Sequence, residues 1–185
     1  MNLLASPLPD AVDAGGASIP VRTGFRTGIQ VARTFDSGLS SGVIGQMVLS
    51  LYMPGARVTD IEAAIERCVW FFRCGKPKSK SSVGRVLDWD HDADTILADF
   101  QREYGITLTD PATRMHWWVF MALFRGLSAD SGIQRAMYYR SPRPRDLKGD
   151  AAARFDELAR TYALPPKTLE EAIAAEAAMW GDDDA

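Results

Sequence analysis

The sequence predicts an all-α fold, a single compact domain of about six to eight helices with a short N-terminal β-hairpin as its only β structure. Three observations predict it. Apolar residues recur at three- and four-residue spacing along most of the 185-residue chain, as in helices that bury one stripe. Helix boundaries are marked by Thr59 with Glu62, Asp110 before Pro111, Thr168 with Glu171, and stops at Gly75 and Gly105. Finally, Met115 to Phe124 is apolar nearly all round and so belongs at the centre.

In chain order, residues 1–16 read as a flexible N-terminal segment, 17–180 as the helical domain and 181–185 as an acidic tail. The stretch Ala11 to Thr23 combines Gly15, Gly16 and Pro20 with short apolar pieces, the composition of a small hairpin. Phe25, Ile29, Ala32 and Phe35 mark the first helix, stopped by Gly38. Val43 to Tyr52 is a second helix, weakened by Gly42 and Gly45 and ended by Pro54-Gly55. The third opens at the Thr59/Glu62 capping box, lines Ile61, Ile65, Cys68, Val69 and Phe72 on one face, and closes at Gly75.

Lys76 to Arg85 reads as an exposed loop. A fourth helix from about Ala93 carries Ile96, Leu97, Phe100 and Tyr104 and ends at Gly105. The fifth is expected to open at Asp110-Pro111 and to run through His116-Trp117-Trp118 to Gly126. Ile133, Ala136 and Met137 mark a sixth, and Phe155, Leu158 and Tyr162 a seventh. A last helix opens at Thr168, with Leu169, Ile173, Ala177 and Trp180 on one side.

Composition narrows the function classes. A net charge of −3 makes no bulk case for nucleic acid. Cys68 and Cys74 read as reduced thiols of an intracellular protein. Met1 to Ala14 lacks the pattern of a signal peptide, and Met115 to Phe124 is about half of the roughly 20 residues that cross a bilayer. No export and no membrane partner are expected.

No constellation completes a catalytic or metal site, so an enzyme, a metal and a cofactor are not expected. Asp88, Asp90, Asp92 and Asp94 alternate as in half of a calcium loop, but Ala93 replaces the sharp-turn glycine and Asp99 the bidentate glutamate. The acids are expected instead to cap and favour the Ala93 helix. His91 and His116 stand apart from cysteines and paired carboxylates. His116 is expected at the rim of the aromatic helix, donating from one ring nitrogen. Ser37 and Ser131 lack a nucleophile elbow, and Gly75-Lys76 lacks the upstream glycine and strand of a phosphate loop.

Two features point to binding. Trp70-Phe71-Phe72 and Trp117-Trp118 turn consecutive rings about 100° round a helix, so one face cannot take them all. Either a multilayer core buries them or some line a groove. The second feature is basic: Arg135, Arg140, Arg143, Arg145 and Lys148, with Lys76, Lys78 and Lys80, make a candidate patch around Tyr138 and Tyr139. It suits acidic protein segments or single-stranded nucleic acid. The candidate partner-binding residues are therefore Trp70, Phe71, Trp117, Trp118, Phe124, Arg140, Arg143 and Arg145.

Several stretches in this order resemble a family of tailed-phage proteins: the Val21 to Phe25 turn, Val69-Trp70-Phe71-Phe72-Arg73-Cys74-Gly75-Lys76, Leu87 to Leu127, and Arg145-Asp146-Leu147. Within the third, Leu87-Asp88-Trp89-Asp90, Tyr104-Gly105-Ile106, Leu108-Thr109-Asp110 and His116-Trp117-Trp118 carry the pattern. The family is similar to tail assembly chaperones, small helical proteins encoded between the major tail and tape-measure proteins of long-tailed phages. The resemblance implies a chaperone that binds the tape-measure protein and keeps it soluble in the host cytoplasm during assembly, and that is absent from the mature particle. The tail-tube protein and a second copy of the chain are further candidate partners. It brings no catalytic residues. The alternatives are a structural tail or neck component and a nucleic-acid-binding accessory protein that uses the basic patch.

Overall fold

The computed structural model describes residues 4–77 and 84–168. Lys78, Lys80, the helix expected after Thr168 and the 181–185 tail lie outside them. In order come β1 (Ala11–Ala14), β2 (Ala17–Pro20), α1 (Phe25–Phe35), α2 (Ser41–Tyr52), α3 (Ile61–Phe72), α4 (Ala93–Tyr104), α5 (Trp117–Gly126), α6 (Gly132–Arg140) and α7 (Gly149–Thr161). The expected fold class holds: among the described residues the fold is mainly helical, with one short hairpin.

The hairpin pairs Val12 with Ile19 and Asp13 with Ser18 in antiparallel register. Both turn residues, Gly15 and Gly16, take positive φ, which glycine tolerates without strain and which suits a two-residue turn. Val12, Ala14 and Ile19 are buried, and β1 packs on α3. The boundary drawn between residues 16 and 17 therefore cuts this hairpin. Alternation over only four residues per strand is a weak signal, and packing on α3 decided the outcome.

α5 is the hub. An isolated antiparallel bridge ties Gly24 to His116, with Phe25 N–H to Met115 O at 2.9 Å and Trp117 N–H to Thr23 O at 2.7 Å. It sets α1 and α5 side by side, so close that a Cβ on Gly28 would stand 2.1 Å from the Trp117 ring. Phe120 is fully buried in a stack of rings, 5.3 Å from Phe25, 5.0 Å from Phe100 and 5.6 Å from Trp117.

α3 ends in a Schellman motif. Cys74 and Gly75 both have positive φ, Gly75 N–H bonds to Trp70 O and Cys74 N–H to Phe71 O. The indole N–H of Trp118 donates to Phe71 O and that of Trp117 to Phe72 O, each at 2.7 Å. Trp117 thus supplies an N–H donor to the Phe72 carbonyl at the end of α3, and Trp118 adds a second donor to the Phe71 carbonyl, which already accepts Cys74 N–H.

Two helix starts differ from expectation. The cap of α3 is Asp60, whose carboxylate accepts Ala63 N–H at 3.0 Å, rather than Thr59. Ile61, expected on the buried face, is then 58% exposed. α5 begins at Trp117 instead of Pro111. Arg26 donates to the carbonyls of Leu108, Asp110 and Thr113 at 2.8–3.0 Å, and Asp110 Oδ1 accepts Ala112 N–H, which folds the stretch into a turn. Carbonyls held by a guanidinium are not free for a helix ladder.

Candidate partner-binding groove

The aromatic candidates are mostly interior. Phe71, Trp117, Trp118 and Phe124 are buried. Trp70 is half-buried, packed edge-on to Trp118 with the Arg67 guanidinium 4.4 Å from its ring centre. Of the two readings of the consecutive rings, burial on both sides of the helix accounts for all but part of Trp70 and Phe72. Trp70, Phe71, Trp117 and Trp118 hold α3 to α5, and Phe124 packs on Trp89 and Phe120.

The basic candidates do not form one patch. The Arg140 side chain is 6% exposed and grips Asp92 with both terminal nitrogens, at 2.7 and 2.9 Å. It also donates to Tyr162 O and Val86 O, so it joins α6, α7 and the start of α4. Arg143 pairs with Asp156, Arg135 donates to Asp130 O, and Arg145 is exposed. Tyr139 packs on Phe155 and stacks on Tyr162, while Tyr138, edge-on to Phe155, stays 49% exposed.

The acidic run is also absorbed by the fold, though not as caps of α4. Asp92 sits at the N-cap position without capping its helix. Its carboxylate accepts Asp88 N–H at 2.9 Å and Arg140. Asp88 accepts the N–H groups of Asp90 and His91, each at 2.9 Å, and pairs with Arg85 and Lys167. Burial works to raise the Asp88 carboxyl. The backbone donors and the two cations outweigh it and hold the carboxyl well below the ordinary carboxylate range.

Asp99, 1% exposed, accepts the first N–H groups of α6, from Gly132 and Ile133, and pairs with Arg102. Ser131 is the N-cap of α6. His116 is the N-cap of α5, its Nδ1 accepting Trp118 N–H at 3.0 Å while Nε2 lies 3.0 Å from Pro9 O. That pair of contacts makes Nε2 the protonated nitrogen. The cysteines are free thiols, and burial pushes Cys68 up to about 12, which leaves it unreactive. Among the described residues no group of three or more His, Cys, Asp or Glu could hold a metal ion, and no helix is long and apolar enough to cross a membrane.

What remains open is a groove of about 1140 Å³ beside α1 and α2. Its long wall is the row Val43, Met47 and Leu51, four residues apart on α2. Gln30, Arg33 and Thr34 of α1 face it, and Asp88-Trp89-Asp90 and Lys167-Thr168 complete it. Arg33 and Asp90 form an exposed ion pair at 2.9 Å. Val43 is 44% and Met47 40% exposed. Phe35 and Leu39, adjoining in the chain, are exposed as well.

The α2 packing explains this exposure. Gly45, Val48 and Tyr52 form its buried face, and a Cβ on Gly45 would stand 2.8 Å from Ile65 Cδ1. At about 100° per residue, Val43 and Met47 point to the opposite side. Sequence reading did not single them out, because most of α2 is apolar. The signals present were Gly45, which marks the close-packed face, and Gln46 and Ser50, which mark the open one.

The fold and groove define a class: a helical protein whose interior is closed by aromatic stacking and which carries, among its described residues, a groove with an apolar row of a surface helix along one wall and polar residues around it. The chain matches the family model described as Bacteriophage Gp15 protein over residues 4–164, and it belongs to that family. No curated protein and no solved structure matches it. It is thus a bacteriophage protein, and the match takes in every stretch that carried the phage resemblance.

Proposed function

We propose that this chain is a tail assembly chaperone of a long-tailed phage. It binds amphipathic helices of the tape-measure protein in the host cytoplasm, keeps that protein soluble until tail-tube subunits polymerise around it, and does not remain in the finished particle. The reading takes the chain as a binding protein rather than an enzyme, with no cofactor. The observation that carries it is the groove along Val43, Met47 and Leu51 in a protein of a phage family. An open apolar row at four-residue spacing suits the apolar face of a helix. The pairing of Arg140 with Asp92 and of Arg143 with Asp156 weighs against the nucleic-acid alternative.

Co-expression with the tape-measure protein of the same phage tests the proposal. The parent chain should raise the soluble fraction of that protein and co-purify with it, and Val43→Asp/Met47→Asp should abolish both. A chain that does neither, and is stoichiometric in purified particles, is instead a structural tail or neck component.

A further inference from the structure

We infer that the open part of Trp70, with Arg67, Lys76 and Arg125 around it, is a second binding surface, and that it takes an acidic segment of a protein partner anchored by an apolar side chain. The inference draws neither on the α1–α2 groove nor on the chaperone reading.

Arg67 supplies the first observation. Its guanidinium lies against the Trp70 ring, 4.4 Å from the centre, yet its Nε is buried and has no hydrogen-bond partner. Other arginines drawn into the fold are matched: Arg140 grips Asp92, and Arg26 holds three carbonyls. A donor withdrawn from water and left unpaired is destabilising. A bound carboxylate would relieve that cost, and stacking on Trp70 already holds the guanidinium plane in place for it.

The second observation is what gathers around the ring. Trp70 stands edge-on to Trp118, with 5.4 Å between centres, and a Cβ on Gly75 would lie 3.4 Å from Trp70 and 3.1 Å from Trp118. The turn from Cys74 to Lys76 therefore passes beside both rings. Arg125 lies two turns beyond Trp118 on the same side of α5 and reaches the Cys74 thiol, which also feels the charge of Lys76. Lys76 and Arg125 are exposed, as is Ala122 on that side of α5. Among the described residues, none of the three cations forms an ion pair, Arg67 with its chain neighbour Glu66 included.

Charge and shape then name the occupant. A guanidinium can take a carboxylate through two parallel hydrogen bonds, and a tryptophan ringed by charge is a usual anchor for an apolar side chain. Acids on the partner would meet Lys76 and Arg125 on the rim, where complementary charge sets specificity. Nucleic acid fits less well. It draws its affinity from many phosphate contacts, whereas this chain carries a net charge of −3 and offers three cations beside one open ring.

Fluorescence anisotropy of a labelled peptide, Glu-Glu-Leu-Phe-Glu-Glu, titrated with the full-length chain tests the surface. The parent should bind it and should not bind Lys-Lys-Leu-Phe-Lys-Lys. Arg67→Met keeps an apolar stem over Trp70 and removes the guanidinium. It should weaken binding by roughly tenfold or more, while its thermal midpoint equals or exceeds the parent's because the orphaned donor is gone. Lys76→Glu and Arg125→Glu should each weaken binding several-fold, whereas Arg145→Glu, an equal charge change at an exposed site elsewhere, should stay within about twofold of the parent. Val43→Asp/Met47→Asp should bind the peptide like the parent, which separates this surface from the groove. The inference is overturned by a parent that ignores the peptide, by one that self-associates through this face instead, or by one that exchanges the peptide for single-stranded oligothymidylate. It also fails if Arg145→Glu weakens binding as much as Lys76→Glu does, or if Arg67→Met lowers the midpoint and leaves binding intact. Should Arg67→Met not fold, Lys76→Glu and Arg125→Glu at their exposed positions decide.

Discussion

Helices α2 and α5 are about equally apolar on average, yet their large apolar side chains have different fates. In α5, Trp117, Trp118, Phe120 and Phe124 are all buried, and both indoles find carbonyl partners on α3. In α2, one side packs through Gly45, Val48 and Tyr52 while Val43 and Met47 face the groove. The contrast teaches that apolar composition alone does not locate a core. What buries the aromatic face of α5 is company on three sides: α1 through Gly28 and Phe25, the carbonyl end of α3, and Phe100 of α4. Its remaining face is open, with Val119 37% exposed and Ala122 exposed, so the helix expected to be buried all round is not. α2 has α1 and α3 for neighbours and no described helix beyond them on its Val43 side.

The comparison breaks if truncation costs the same in both helices. Phe120→Ala should destabilise by about 3–5 kcal/mol, the usual cost of removing a large buried ring, measured as a shifted denaturation midpoint. A loss under about 1 kcal/mol would mean that the Phe25, Phe100 and Trp117 rings are not packed around it.

Two glycines sharpen it further. Gly28→Ala drives a methyl into the rigid Trp117 ring and should cost about 1–3 kcal/mol or more. Gly45→Ala meets only the terminal methyl of Ile65, which can move, and it gains about 0.5–1 kcal/mol of helix preference. Its net effect should stay within about 0.5 kcal/mol of the parent. Equal losses in thermal melts of the two variants would remove the distinction between the α1–α5 and α2–α3 contacts.

Asp88, at the end of the groove, makes the contrast depend on pH. Its folded-state pKa lies below the unfolded value of about 3.9, so its contribution is present above that value and fades as pH falls through the folded pKa. Asp88→Asn should therefore cost about 1–3 kcal/mol near neutrality, with the gap from the parent closing below about pH 4. A gap that stays constant down to low pH would show that the two cations contribute nothing.

The smallest expected effect on stability carries the functional weight. Met47→Asp should change the midpoint of global unfolding by about 0.5 kcal/mol or less, as at surface sites, while abolishing tape-measure capture. Loss of folding in this variant would place Met47 in the core and close the groove.

Some features were legible in the residues alone. Helical spacing placed α1 to α7 and the centrality of α5, and the glycine pair at 15–16 placed the hairpin, because periodicity and turn chemistry act within a few residues. Capping was legible only in kind. An acid and a serine or threonine near a helix start say that a cap exists, but Asp60, His116 and Ser131 were chosen by local backbone geometry. The roles of Arg26, Arg140 and Asp99 were not legible at all. Each spans a long separation in sequence, from Arg26 to Thr113, from Arg140 to Asp92 and from Asp99 to Ile133. A charged side chain looks solvated until the fold brings its partner to it. The same holds for the groove: the sequence by itself determined that α2 is an apolar helix, and only the tertiary structure decided which of its sides would be covered, because burial belongs to the neighbours a helix acquires rather than to the helix.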